Sequence, residues 1–421
     1  MPLIIKKITS DLKPRNILAG WPLELPLIFL GSSKSRFFVL ALKGKTVPAT
    51  SLLTKKVHVQ KENHKYNLPF TCGFLGALSY DFCTSCEAKS NQSLVVEVNR
   101  SLIWDKSNNE MFLCENFLEP EKDHGHWTFD IPYNRLSSFF SHITLASLTL
   151  ASSLDHDAYK EMCQKAQSMI RQGRFYQINL LRYFDVTING PIRGLSLSVF
   201  DKGGSYACCF CLPSVSLFSF SPEQFCQVTK IGKEALCTTS PIKGTIQRPS
   251  TELEAKKMRR ELLTSKKNEA ELNMITELMR NDLGELAKPG SVKVLSKKKI
   301  FAFDHIYHLK SKIQALLRKD LCFADFFAKL APAGSITGAP KIEAQKAIFE
   351  FEQRGRGYFM GNAFYFDPFQ GNFDSSVLIR TVVTKPDSQE LEFAAGSGIV
   401  LNSTPEEEWQ EILAKTRILA P

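Results

Sequence analysis

Ser240-Pro241-Ile242-Lys243-Gly244-Thr245 sets one lysine between a rigid proline and a glycine in an otherwise apolar stretch, and the reading of the chain turns on it. A lysine held out of water there has a reason to be reactive. Burial disfavours the ammonium and lowers its pKa, so part of the amine is neutral near pH 7 and can act as a nucleophile. Read alone, the six residues describe a solvated turn lysine equally well. The surrounding order decides. Upstream lies SPEQF (Ser221 to Phe225). Downstream follow AELNMITELMRNDLG (Ala270 to Gly284), HLKSKI (His308 to Ile313), GSITGAPK (Gly334 to Lys341), LIRT (Leu378 to Thr381), AAGSGIV (Ala394 to Val400) and EEEWQEILAK (Glu406 to Lys415).

This collinear series, from about Asp155 to the C-terminus, resembles the chorismate-utilising enzymes. That family includes component I of anthranilate synthase, component I of aminodeoxychorismate synthase, and the isochorismate and salicylate synthases. Two positions discriminate among its members. Members that add water to chorismate carry a basic lysine where this chain has Gln177, in GRFYQINL, whereas the ammonia-using members carry glutamine. Anthranilate synthases usually read PIAGT where this chain reads PIKGT with Lys243, the form found in aminodeoxychorismate synthases. The pair resembles the aminodeoxychorismate branch, which leads to 4-aminobenzoate and folate. The implied fold is a large α/β (α+β) two-part sandwich of antiparallel and mixed sheets covered by helices, similar to anthranilate synthase component I. Its implied parts are an N-terminal domain over residues 1–150 and a chorismate-binding catalytic domain over 155–421.

Composition agrees with a globular chain. Of 421 residues, 43% are hydrophobic and 11% aromatic, ample for a sizeable core. No apolar run reaches the roughly 18 residues a membrane helix needs, and the start MPLIIKKITSDLK lacks a secretory pattern, so a cytoplasmic protein with no membrane partner is expected. Eleven scattered cysteines suit buried thiols in a reducing compartment, and Cys83-x-x-Cys86 lacks the second pair a zinc site requires. The net charge of +10 could suggest nucleic acid. However, the basic residues fall in short runs such as Lys256-Lys257-Met258-Arg259-Arg260 and Lys297-Lys298-Lys299, which read as solvated faces, and no nucleic-acid partner is expected. A mildly positive surface also suits a dianionic substrate.

Along the first 150 residues, short apolar runs such as RFFVLALKG, GFLGALSYDF and SLVVEV alternate with turn-forming clusters, which predicts a sheet. A Ser/Leu-rich stretch, Ser137 to Ser153, marks the expected boundary. Spacings of three and four from Tyr159 to Ile170 predict a helix from Asp155 to near Gly173, followed by a strand in FYQINLLRYFDV. An apolar hairpin about Pro213-Ser214 delivers Glu223 just beyond its end. A helix is expected from about Thr251 to Leu286, strands at Gly361 to Phe366, Val377 to Val383 and Leu391 to Ala395, and a last helix from about Pro405 to Leu419.

The chemistry implied by the resemblance is the replacement of the C4 hydroxyl of chorismate by ammonia. Hydroxide is a poor leaving group, so a hard cation on the ring carboxylate and an acid near the departing oxygen are both useful. By resemblance, Mg2+ is held by Glu271 and Glu411, with Glu408 behind; spacing alone describes an acidic solvated face. Lys243 is the implied nucleophile and Glu223 the general acid and base. His308 lies near the departing hydroxyl, where a core histidine is the alternative reading. Arg380 would grip the enolpyruvyl carboxylate in its planar fork, with Tyr365 and the backbone of Gly396 and Gly398 completing that pocket. Gly244, Thr245 and Thr337 would line the ring, Gln177 would sit at the ammonia side, and Lys415 would reach the substrate or pair with Glu411. The chain shows no glutaminase motif, so a separate glutamine amidotransferase subunit is the expected partner.

Several positions depart from the family pattern. Asn268 stands where an acid usually supports the metal ligand one turn later, Ser397 replaces a small residue among the glycines, Ala333 replaces a glycine, and Phe364 replaces a glycine beside Tyr365. In LGSS (Leu30 to Ser33), Gly31 occupies the place of an acid in the family's effector pocket, so tryptophan binding is not expected.

Overall fold

The computed structural model describes residues 3–8, 13–22, 25–53, 55, 66, 68–85, 93–116, 128–132, 136, 146–150, 156–249, 251–302, 306–384 and 390–419. Most of the expected boundary at 137–153 and the Cys86 position lie outside them. The ten described cysteines are free, and nine are buried.

Among the described residues every strand pairing is antiparallel, and one continuous path with short side branches runs through the pairings. It starts at strand Gln177–Asn189, which pairs with Leu391–Val400 along ten residues. It continues through Thr381–Thr384, Val215–Ser219 and Cys208–Leu212 to Leu27–Leu30. From there it crosses Phe37–Val47, Leu94–Asp105 and Gly73–Leu78 to Asn362–Asp367. The far arm runs through Asn372–Val377, Gln224–Ile231 and Glu234–Thr239 to Ile306–Leu316, whose flanks carry Ile242–Gln247 and Lys293–Ala302. The strands of the first 116 residues therefore bridge two arms built from the later sequence. The path folds back, because Lys243 on one arm faces Gly398 on the other. The result is the expected helix-covered sandwich, its long antiparallel sheet bent so that its two ends approach each other.

Local sequence explains the elements. Cys208–Leu212 is buried at all five residues, as a strand covered on both faces must be. Helix Lys266–Leu286 buries Leu272, Ile275, Thr276, Met279, Leu283 and Leu286, a single face at spacings of three and four. Each such aliphatic side chain stabilises the fold by about 1.5–3 kcal/mol when fully buried. The expected single helix from Thr251 to Leu286 is in fact two, Glu252–Thr264 and Lys266–Leu286. Ser265 takes an extended conformation and its hydroxyl accepts from the Asn268 N–H, capping the second helix. The expected strand Val377 to Val383 is also interrupted. Val377 ends one strand and Thr381 starts the next, with Arg380 between them at φ +52°. Among the described residues, no helix is long and apolar enough to cross a membrane. In the basic run at 297–299, Lys298 is paired with Glu269 at 2.9 Å.

Candidate active site

Lys243 lies on a strand, not on the turn that its Pro-x-x-Gly setting suggested. The cause is Gly244. At φ +73° it forms a bulge, and the register against Ile306–Leu316 shifts between Lys243 and Thr245. A methyl group at position 244 would come within 2.9 Å of Cγ of Asn268, so the close packing of helix Lys266–Leu286 also demands glycine. The bulge re-aims the lysine into the cleft between the two arms. A methyl group on Gly398 would lie 3.6 Å from Lys243 Nζ and 2.7 Å from Gln177 Nε2. Lys243, Gln177 and Gly398 thus meet at one point. The Thr245 side chain lies outside the described residues.

Glu223 follows the hairpin as expected and is half-buried. Ser335 Oγ donates to its Oε1 at 3.1 Å, and its carbonyl accepts from Val377 N–H at 3.2 Å. Burial pushes the Glu223 carboxyl above its ordinary pKa, while Ser335, Lys243, Lys415 and Arg380 act in the opposite direction. A carboxyl so balanced can hold a proton and give it up. Arg380 sits in the left-handed backbone region, a conformation that costs a non-glycine residue about 1–3 kcal/mol. Its carbonyl is fixed by Phe220 N–H at 3.1 Å, and its charge acts on Glu223. Burial pulls the Arg380 pKa down, opposed by Glu223. His308, 4% exposed, is pulled down to about 4 by burial and Arg380, and is therefore a neutral imidazole at pH 7.

The opposite wall is helix Pro405–Thr416 behind strand Leu391–Val400. Lys415 Nζ donates both to Gly396 O at 2.6 Å and to Glu411 at 2.7 Å. Partial burial opposes ionisation of Glu411, but Lys415, Lys243 and Lys267 hold its pKa below the ordinary value. Glu408 is buried and accepts from Ser403 Oγ at 2.7 Å; burial first, then the Glu411 charge, raise its pKa. Gly396 and Gly398 lie within a strand paired along its whole length, not in a loop. Ser397, between them, faces away and bonds Tyr159 Oη at 2.6 Å.

Three expected roles need correction or restatement. Tyr365 is not brought to the Lys243 cluster. Its ring packs edge-on to Phe70 and lines a separate cavity of about 310 Å³ with Gly31, Tyr206, Gln227 and Asp374, because strand Asn362–Asp367 belongs to the middle of the pairing path. The Thr337 hydroxyl donates locally to Ala333 O at 3.0 Å, while its carbonyl accepts from Asn179 N–H at 2.7 Å. Finally, among the described residues no three His, Cys, Asp or Glu side chains are gathered closely enough to hold a metal ion. As donors, Glu271, Glu408 and Glu411 fit a hard divalent cation in kind. They are not collected at one point here.

Sequence reasoning missed the residues that support this site. Ser335 was visible inside GSITG as a hydroxyl between two glycines. Asn179, two residues from Gln177 on the same strand face, was readable from strand alternation. Arg356 gave no local signal. Fully buried with Glu352, it donates to the carbonyls of Asn179 at 2.7 Å and Ile336 at 2.9 Å, tying the Gln177 strand to the GSITG segment.

The cleft thus gathers Lys243, Lys415 and Arg380 around Glu223, an arrangement suited to a small dianion. The family model for chorismate binding enzymes matches residues 33–421. Aminodeoxychorismate synthase component 1 of Klebsiella aerogenes is 31% identical over 382 residues, 86% of this chain and 79% of that protein. Anthranilate synthase component 1 of Aquifex aeolicus is 33% identical over 269 residues, 64% of this chain, and the match spans about half (53%) of that relative's length. Anthranilate synthase component I from Streptococcus pneumoniae superposes with a TM-score of 0.75 at 23% identity, covering 91% of this chain and 92% of that one. The isochorismate synthase MenF from Escherichia coli gives 0.72 at 15% identity, covering 99% and 94%. The fold, the ordered motifs and the family match agree: this chain belongs to the chorismate binding enzymes.

Proposed function

We propose that this protein is an aminodeoxychorismate synthase component I, which converts chorismate and ammonia to 4-amino-4-deoxychorismate on the route to 4-aminobenzoate and folate. The observation that carries the reading is the meeting of Lys243 with Gln177 at Gly398, within the field of Glu223. Gln177 has no basic nitrogen with which to activate water, and Lys243 supplies a nucleophile.

In this mechanism Arg380 and Lys415 bind and orient the dianionic substrate. The free amine of Lys243 attacks ring C2, the double bond shifts, and the C4–O bond breaks. Glu223 gives its proton to the departing oxygen, which leaves as water, and then takes a proton from the new C2 ammonium. Ammonia attacks C4, the double bond shifts back, and the C2–N bond breaks. Glu223 returns its proton to the leaving Lys243 amine and recovers one from the C4 ammonium. Neutral His308 orients the C4 oxygen as a hydrogen-bonding partner. Magnesium would supply countercharge to the ring carboxylate only if Glu271 and Glu411, with Glu408, were drawn together around it.

A cytoplasmic enzyme working with a glutamine amidotransferase subunit as its ammonia source completes the proposal. The relatives named component 1 support a partner. Glutamine-dependent turnover by this chain alone would remove the need for one. Anthranilate synthase component I is the competing reading, favoured by the comparable identity to the Aquifex protein. One assay separates the two: incubation with chorismate, ammonium and magnesium, with products identified by mass and chromatography. The expected product is 4-amino-4-deoxychorismate, and Lys243→Ala is expected to lower its formation by about 10³-fold or to shift output toward the 2-amino isomer. Full 4-amination by Lys243→Ala would exclude the covalent role.

A further inference from the structure

Strands Lys293–Ala302 and Ile306–Leu316 pair as an antiparallel ribbon that carries six lysines and no acid. One face packs on the helices. There Tyr307 and Leu309 are buried with Leu262 and Leu272, Ser311 Oγ meets Thr276 Oγ1 at 2.8 Å, and Lys298 pairs with Glu269 at 2.9 Å. The other five lysines lie on the open face: exposed Lys293, Lys297 and Lys299 alternate along the first strand, and Lys310 and Lys312 alternate with the buried residues of the second. Among the described residues, none of these five is salt-bridged to a carboxylate. Lys299 stands directly across from Lys310, where like charges repel, and Lys312 adds to that repulsion. Lysines on an edge strand guard it against further pairing, which accounts for Lys293, Lys297 and Lys299. Lys310 and Lys312 need another reason, because their strand is paired on both sides.

The row leads inward. Lys312 is exposed, Lys310 is half-buried with its ammonium 4.8 Å from the Phe301 ring centroid, and His308, next on the same face, is buried. At the inner end Lys310 acts on Glu223, and His308 lies in the field of both Lys310 and Arg380. With same-face residues about 7 Å apart, positive charge runs without a gap from solvent to the groups around Glu223.

We propose that this open face is the entrance for the dianionic substrate: Lys299 and Lys312 gather it from solvent, and Lys310 draws it toward Arg380 and Lys415. The inference rests on chorismate as the substrate and is indifferent to which amino product forms. A row of one charge sign leading into a cleft focuses its field, and such steering raises the encounter rate of an opposite charge by about 10–10³-fold. A dianion on the row also offsets the repulsion between its members.

The test is the association rate of chorismate with the full chain in magnesium and without ammonium, read by stopped-flow quenching of tryptophan fluorescence. Wild type is compared with the double variant Lys299→Gln/Lys312→Gln. The wild-type kon is expected to fall about fivefold or more between low salt and roughly 0.5 M KCl, where the screening length is only a few ångströms. The double variant is expected to start about three- to tenfold lower, to converge with the wild type at high salt, and to keep koff and kcat within about twofold. A wild-type kon in the variant at low salt, a deficit that persists at high salt, or a change confined to koff overturns the entrance. Lys299→Arg/Lys312→Arg keeps the charge and is expected to keep kon within about twofold; a loss there assigns the effect to packing and also overturns it. Retention of single-stranded DNA by the wild type, lost in the glutamine variant while the chorismate kon is unchanged, overturns it in favour of a polyanion. Product identity is read separately. A salt-sensitive, lysine-dependent kon with a 2-amino product leaves the entrance standing and removes the aminodeoxychorismate reading, and a 4-amino product with a kon indifferent to these lysines does the reverse.

Discussion

The cleft at Lys243 and the cavity at Tyr365 each hold a carboxyl whose pKa burial raises, yet they are built in opposite ways. The cleft lies where the two ends of the strand path approach each other, and its cations come in excess: Lys243, Lys415, Arg380 and Lys310 all interact with Glu223. The cavity lies in the middle of the path, and its one acid, Asp374, is held by amides, accepting from Gln224 Nε2 at 2.9 Å and Gln227 Nε2 at 3.1 Å. Burial pushes Asp374 up to about 7, so it is close to neutral where the cleft is charged. The difference teaches that a pocket's volume says little about chemistry. Opposed charges whose pKa values are pulled apart mark the reacting centre better than empty space does.

The largest effect expected from this contrast is at Glu223. Glu223→Gln should lower kcat by about 10²–10⁴-fold, and it should remove the fall in rate as pH rises through the raised Glu223 pKa. A pH–rate profile of the variant that keeps that limb would assign the proton transfer elsewhere. Next is the support behind the cleft. Arg356→Met leaves Glu352 buried without its partner and frees the carbonyls of Asn179 and Ile336, a loss of about 3–5 kcal/mol measurable by urea unfolding. A loss below 1 kcal/mol would show that the cleft does not depend on this pair.

The smallest effect belongs to the cavity. Asp374 has a folded pKa raised above its unfolded value, so the stability it contributes is present below about pH 4 and is lost as pH rises to about 7. Relative to the wild type, Asp374→Asn should gain stability between those limits and level off above them. Denaturation midpoints at pH 4.5, 6 and 8 check the slope, and a flat difference would mean that the carboxyl is solvated.

The residues on the cleft side of this contrast were named beforehand, and for a physical reason. Lys243, Glu223, Arg380 and Lys415 sit in short motifs whose geometry is fixed within a few residues: a bulge at Gly244, a hairpin end before Glu223, one helical turn from Glu411 to Lys415. What could not be read depends on contacts between distant segments. Arg356 meets Asn179 across 177 positions. Tyr365 sits close in sequence to Arg380, but its strand pairs with Gly73–Leu78 and is carried into the other region. The break at Ser265 was missed because helix propensity runs through it, and only the cap reveals the stop. The three carboxylates were grouped by resemblance alone; helix spacing fixes Glu408 and Glu411 relative to each other but says nothing of Glu271 on a different helix.

Because the strands between Leu27 and Asp105 are the middle of the pairing path, they set the gap between its ends. A segment far from the chemistry in sequence thus acts as a calliper on it. Excising that segment would leave Cys208–Leu212 and Asn362–Asp367 each with a bare edge, and would remove the hinge that brings the amine opposite its glycine.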